Sequence, residues 1–147
     1  MVGSDRADAA ARGNNDSGWD DPRVEDVQWL HLEGWRIVMV HDMEPEERPI
    51  ADLTRQYLRG EPADIIITGH THFERLDYRD GVLQINSGSA THPHLWSTRL
   101  GTVGVLDIAP GNITARILRL GESPDLKNPG RELFFDLEAY QQSPTAP

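Results

Sequence analysis

Residues 63–76 read ADIIITGHTHFERL: three consecutive isoleucines and a threonine, then a glycine, then two histidines one residue apart. The run 65–68 has no polar alternation, which is the pattern of a strand covered on both faces. The segment that follows is polar. On an extended backbone His70 and His72 project to the same side, and Gly69 lets the chain turn as it leaves the strand. Such a pair reads either as a metal clamp or as a polar strand exit.

The flanks decide what kind of sheet carries it. Upstream, PIADLTRQYLRGEP (49–62) sets Ile50, Leu53, Tyr57 and Leu58 on one helical face, with Pro49 at the start and Gly60 at the exit. This predicts a helix over 49–59. Before it, VQWLHL (27–32) and RIVMVH (36–41) read as strands joined by the turn at Glu33-Gly34. The contiguous apolar residues 37–40 predict an interior strand, and strand–helix–strand implies a right-handed parallel crossover. Downstream, FERLDY (73–78) and VLQINS (82–87) flank Arg79-Asp80-Gly81, a strong hairpin signal. A second hairpin, TVGVLDIA and ITARILRL, turns around Pro110, Gly111 and Asn112, with its alternation slipping near Leu118. Residues 1–23 show no periodicity and read as loop or disorder. Residues 24–120 form the domain, and the tail 121–147 reads as loosely ordered apart from an apolar anchor at 133–137.

Bulk properties narrow the class. The chain has 147 residues, 24 acids against 14 bases, and a formal charge of −10. One domain fits this length. The negative surface disfavours nucleic acid, and no apolar run approaches a membrane span. No leader-like segment opens the chain, so a cytoplasmic protein is expected. With no cysteine, any metal must be held by His, Asp, Asn or Glu.

Three polar clusters end predicted strands: His41, the pair His70/His72, and Asn86-Ser87-Gly88-Ser89. Carboxyl ends of strands are where open α/β sheets build sites. With GNND (13–16) placed ahead of them, the ordered set resembles the calcineurin-like metallophosphoesterases, in particular their small bacterial phosphodiesterase branch. That family has the order Asp-x-His, Gly-Asp, Gly-Asn-x-Asp/Glu, His, Gly-His-x-His. The last three elements match here, over roughly residues 12–120.

The resemblance implies an α/β fold, a metallophosphoesterase-type β-sandwich flanked by helices, with the N-terminal βαβ portion absent. It implies that Asn14, His41 and His70 bind one divalent metal and His72 a second, the pair drawn from Mn, Fe, Zn, Ni or Mg. It implies hydrolysis of a small phosphoester by water activated between the two metals. Asn86, Ser87, Gly88 and Ser89 would line the substrate, with their small size leaving room for it.

Four departures stand out. No Asp-x-His precedes GNND; Asp5 and Asp8 are there, without a histidine. Asn15 occupies the place of the family's acid histidine and cannot titrate. Asp42 stands where glycine is usual, and Ser87 where proline is usual. These departures suggest the C-terminal part of an enzyme, truncated and inactive alone; the alternative is a noncatalytic scaffold of the same fold for protein interaction. The remaining candidates read blandly: His92 and His94 as exposed, His31 as a satisfied or solvent-facing side chain, the four tryptophans as packing, Glu44, Glu46 and Glu47 as a solvated loop, and Asp16 as a turn former or an orienting group.

Overall fold

The computed structural model describes residues 9–92, 101–121 and 133–143. Asp5, Asp8, His94 and Trp96 lie outside them.

The element order follows the hydrophobic pattern closely. Strands β3 (Val27–Leu32) and β4 (Trp35–Val40) pair antiparallel, with Val27 opposite Val40 and Leu32 opposite Trp35. Glu33 and Gly34 both take left-handed backbone, φ 50° and 85°, so this two-residue turn has the twist that matches paired strands. Helix α1 (Ile50–Tyr57) follows, then β5 (Ile65–Thr68), which lies parallel to β4 with Ile37 opposite Ile65. Strands β6 (Glu74–Arg79) and β7 (Val82–Ser87) form the next hairpin, turning on Asp80 and Gly81 at φ 52° and 75°. β7 pairs parallel with β5, which gives a five-stranded sheet ordered β3-β4-β5-β7-β6. Strands β8 (Thr102–Ala109), β9 (Asn112–Arg119) and β10 (Leu133–Asp136) make a three-stranded antiparallel sheet ordered β10-β9-β8.

Alternation along the central strands divides two cores. Val38, Val40, Ile66 and Val82 face α1 and pack with Ile50, Leu53, Leu58 and Met43. Ile37, Ile65, Leu83 and Ile85 face the second sheet and meet Ile113, Ala115 and Ile117. Burial of a side chain of this size contributes about 1.5–3 kcal/mol. Strands β4 and β5 are thus apolar on both faces because each face has a different cover. The molecule is a mixed α/β, strand-rich sandwich, with α1 on its outer side.

Three details differ from the sequence reading. Within the segment read as loop, β1 (Ala10–Ala11) pairs parallel with β2 (Val24–Glu25) and lies beside β3 and β4. Two-residue strands carry no periodicity, so the pattern could not reveal them. In the tail, residues 133–136 are the strand β10, continued by a short helix α2 (Leu137–Gln141). Asp136 caps α2 by accepting the Ala139 N–H at 2.9 Å, and Leu137 enters the inter-sheet core. Finally, the β8–β9 turn is Pro110-Gly111 alone, since Asn112 already pairs with Ala109.

Candidate metal centre

Three neighbouring parallel strands, β4, β5 and β7, end at one edge of the sheet, and each delivers a candidate residue there. His41 follows β4. The β4–β5 ladder runs one bond further, the Gly69 N–H donating to the His41 carbonyl at 3.0 Å. This brings the histidine turn 69–72 beside His41. Nδ1 of His70 lies 3.2 Å from Nε2 of His41, with ring centroids 5.1 Å apart at 77°.

Asn14 arrives from the N-terminal segment. Arg12 extends the β1–β2 ladder, its N–H donating to the Glu25 carbonyl at 2.8 Å, while its guanidinium donates to the Trp19 carbonyl at 2.8 Å and pairs with Asp26 at 3.3 Å. Asp16 closes the turn by accepting the Gly13 N–H at 2.7 Å, so it acts as the turn former. The result is Asn14 Oδ1 at 2.9 Å from His41 Nε2. Asn15 is exposed.

The donor set fits a divalent cation. Cis ligands about 2.1 Å from a metal sit about 3.0 Å apart, and the two donor–donor distances bracket that value. Burial first, and then charge on His70, depress the pKa of His41 below the ordinary imidazole value; Asp42 and Asp16 oppose this, and His72 adds to it. A depressed pKa favours the neutral ring, the form that ligates metal. Donor atoms of Asp42, Glu44 and His70 lie within 4.8 Å of one another and form a further candidate group.

The backbone of the turn differs from expectation. It is not extended: His70 and His72 both take left-handed backbone, φ 63° and 58°. Such a conformation costs a non-glycine residue about 1–2 kcal/mol. Gly69 takes no positive φ, and Asp42 takes none either, so the glycine usual at that position is not demanded by backbone strain.

What holds the turn is Asn86, which is fully buried. Its Nδ2 donates to the Gly69 carbonyl at 2.8 Å and to Thr71 Oγ1 at 3.0 Å, and its Oδ1 accepts the Gly88 N–H at 3.0 Å. Asn86 therefore stands behind the histidines rather than in an open pocket. Its loop also leaves little room. A β-carbon on Gly88, whose φ is 74°, would come within 2.4 Å of Thr102 Oγ1, and Thr102 donates to the Ser87 carbonyl at 2.7 Å. The Ser89 carbonyl accepts the Thr102 N–H at 3.1 Å. The small residues of this loop serve the junction with β8. A cavity of about 280 Å³ opens beside Thr71, walled by Glu44, Glu47, Phe73 and Arg75.

Among the other residues, His31 and His92 are exposed, as read. Glu46 is not a solvated residue: it is 6% exposed and sits beneath the histidine turn. Arg12 and Glu46 carried no sequence signal, because the contacts that define them come from other segments. Among the described residues no helix is long and apolar enough to cross a membrane.

Comparison with known proteins identifies the family. The family model of the calcineurin-like phosphoesterase superfamily domain matches residues 5–111. A probable metallophosphoesterase of Mycoplasma pneumoniae is 30% identical over 97 residues, 61% of this chain and 58% of that protein. The Vps29 structure from Cryptosporidium parvum aligns with TM-score 0.62 at 20% identity, covering 84% of this chain and 65% of that one. The Zn²⁺ complex of wild-type Vps29 from Entamoeba histolytica aligns with TM-score 0.56 at 21% identity, covering 80% and 63%. The chain thus spans somewhat under two thirds of the length of these relatives. At such identities the structures speak for the fold, and the family model for descent: the chain belongs to the calcineurin-like phosphoesterase superfamily.

Proposed function

We propose that the chain carries the histidine half of a metal-dependent phosphoesterase centre that hydrolyses a small phosphodiester or phosphomonoester. One observation supports this above the others: Asn14 Oδ1, His41 Nε2 and His70 Nδ1 come from three distant segments and approach one another to within 2.9 and 3.2 Å in chain. Asn14, His41 and His70 hold one divalent cation, with Mn²⁺ the first choice for assay, and His72 serves a second. Bound cations supply Lewis acidity and lower the pKa of water at the site.

The protein's own part is to fix the donors. Asp16 and Arg12 hold the turn that presents Asn14; the β4–β5 ladder sets His41 against His70. Low proton affinity keeps the His41 ring neutral and available. Asn15 cannot exchange a proton, so the leaving group takes its proton from solvent. The negative surface repels polyanionic nucleic acid and leaves compact esters as the suitable substrates.

The test is hydrolysis of bis-p-nitrophenyl phosphate with added Mn²⁺, by this chain and by a version carrying the family's upstream aspartate elements. Activity in the extended form that vanishes with His70→Ala is expected. Inertness of the extended form, together with no Mn²⁺ binding by calorimetry, leaves the noncatalytic scaffold as the surviving reading.

A further inference from the structure

Glu46 is the one carboxylate in the acidic segment 42–47 that turns inward. Met43, fully buried in the core beneath α1, anchors this segment, and Glu46 follows it in. Its two oxygens have separate duties. Oε1 accepts from Thr68 Oγ1, the last residue of β5, and from Asn86 Nδ2 at 3.0 Å. Oε2 pairs with Arg75 Nε at 3.3 Å. Asn86 is the residue that grips Gly69 and Thr71, and Thr68 directly precedes Gly69. Glu46 therefore touches both supports of a turn whose two histidines adopt left-handed backbone.

We propose that Glu46 is the positioning residue of the metal centre: through Thr68 and Asn86 it locks the 69–72 turn so that His70 meets His41. The role rests on the metal reading given above, and it is distinct from a purely stabilising one. Arg75, which holds the opposite oxygen, also pairs with Glu47 and Asp77. The Arg75 side therefore ties Glu46 to the body of the sheet, and the Oε1 side carries its effect to the histidines. A buried carboxylate aligned on an amide and a hydroxyl orients them without leaving its own charge unpaired.

The experiment compares Mn²⁺ affinity of the full chain, read from the electron paramagnetic resonance of free Mn²⁺, with the imidazole ¹⁵N spectrum of the metal-free protein. Glu46→Ala is expected to weaken Mn²⁺ binding about tenfold or more and to move the His70 and His72 resonances. Glu46→Gln retains an acceptor for Thr68 and Asn86 and is expected to stay within about threefold of the parent. Ile113→Val, in the other core, lowers the melting temperature and leaves affinity and imidazole spectrum unchanged. Where Glu46→Ala does not fold, Thr68→Val replaces it, with an expected weakening of about threefold or more.

A parent chain that binds no Mn²⁺ overturns the metal reading itself. Parent binding that Glu46→Ala and Thr68→Val leave intact overturns the positioning role alone. Glu46→Gln as damaging as Glu46→Ala assigns the effect to charge and overturns it too.

Discussion

The strands β4 and β5 are polar at both ends, and the two ends are built differently. At their start, Arg36 and Asp64 form a forked ion pair: Asp64 accepts from the Arg36 N–H at 2.8 Å, from Nε at 3.0 Å and, on its other oxygen, from Nη2 at 2.8 Å. Both side chains reach solvent, 42% and 25% exposed, on ordinary backbone. At their finish, Thr68, Glu46 and Asn86 are buried, two histidines are left-handed, and imidazole nitrogens crowd together. The first end fastens the crossover using partners that water could also satisfy. The second spends buried hydrogen bonds on holding a conformation that the histidines would not choose alone. Stability is gained at one end and committed to geometry at the other.

The contrast can be broken most forcefully at the histidines. His41→Ala or His70→Ala should weaken Mn²⁺ binding by about 100-fold or more while leaving the urea midpoint unchanged or higher. A midpoint that falls sharply would make these residues structural. Next comes Asn86→Leu. It strands the Gly69 carbonyl, the Gly88 N–H and a share of Glu46, so a loss of about 3 kcal/mol in urea unfolding is expected; a loss under about 1 kcal/mol would mean the turn holds itself.

Asp64→Asn tests the opposite end and should cost about 1 kcal/mol at neutral pH after allowance for solvent screening. Its pH dependence has a definite sign. Hydrogen bonds from Arg36 hold the Asp64 pKa below the usual carboxylate value, so the folded state binds fewer protons than the unfolded one. The contribution is complete above the unfolded value of about 3.9 and disappears as pH falls through the lower folded value. Parent and variant stabilities should therefore converge in strong acid, measured by urea titrations at descending pH. The smallest effect belongs to the second sheet: Arg116→Ala removes an exposed pair with Asp107 at 3.2 Å and should change stability by less than about 0.5 kcal/mol.

Much of this arrangement can be read along the chain. Apolar runs at 37–40 and 65–67 and the turns at Glu33-Gly34, Asp80-Gly81 and Pro110-Gly111 are local signals, and the strands form where they point. A motif order can be read while the geometry is unknown; it pointed to Asn14, His41 and His70, and the structure brings these three side chains together. The conformation of the turn could not be read. Left-handed backbone at a histidine has no composition signature, and here it is imposed by Asn86, sixteen residues beyond His70 in sequence. Glu46 was misread for the same reason. Among Asp42, Glu44 and Glu47 it looks solvated, and only Thr68, Arg75 and Asn86, from three other strands, draw it inside.

The contact between Gly88 and Thr102 has one more consequence. Because any side chain at position 88 would strike the first residue of β8, this loop meets the second sheet too closely to accept a larger residue there. On the proposed phosphoesterase reading, room for a bulkier ester is to be sought on the opposite bank, where Glu44 and Glu47 stand in solvent.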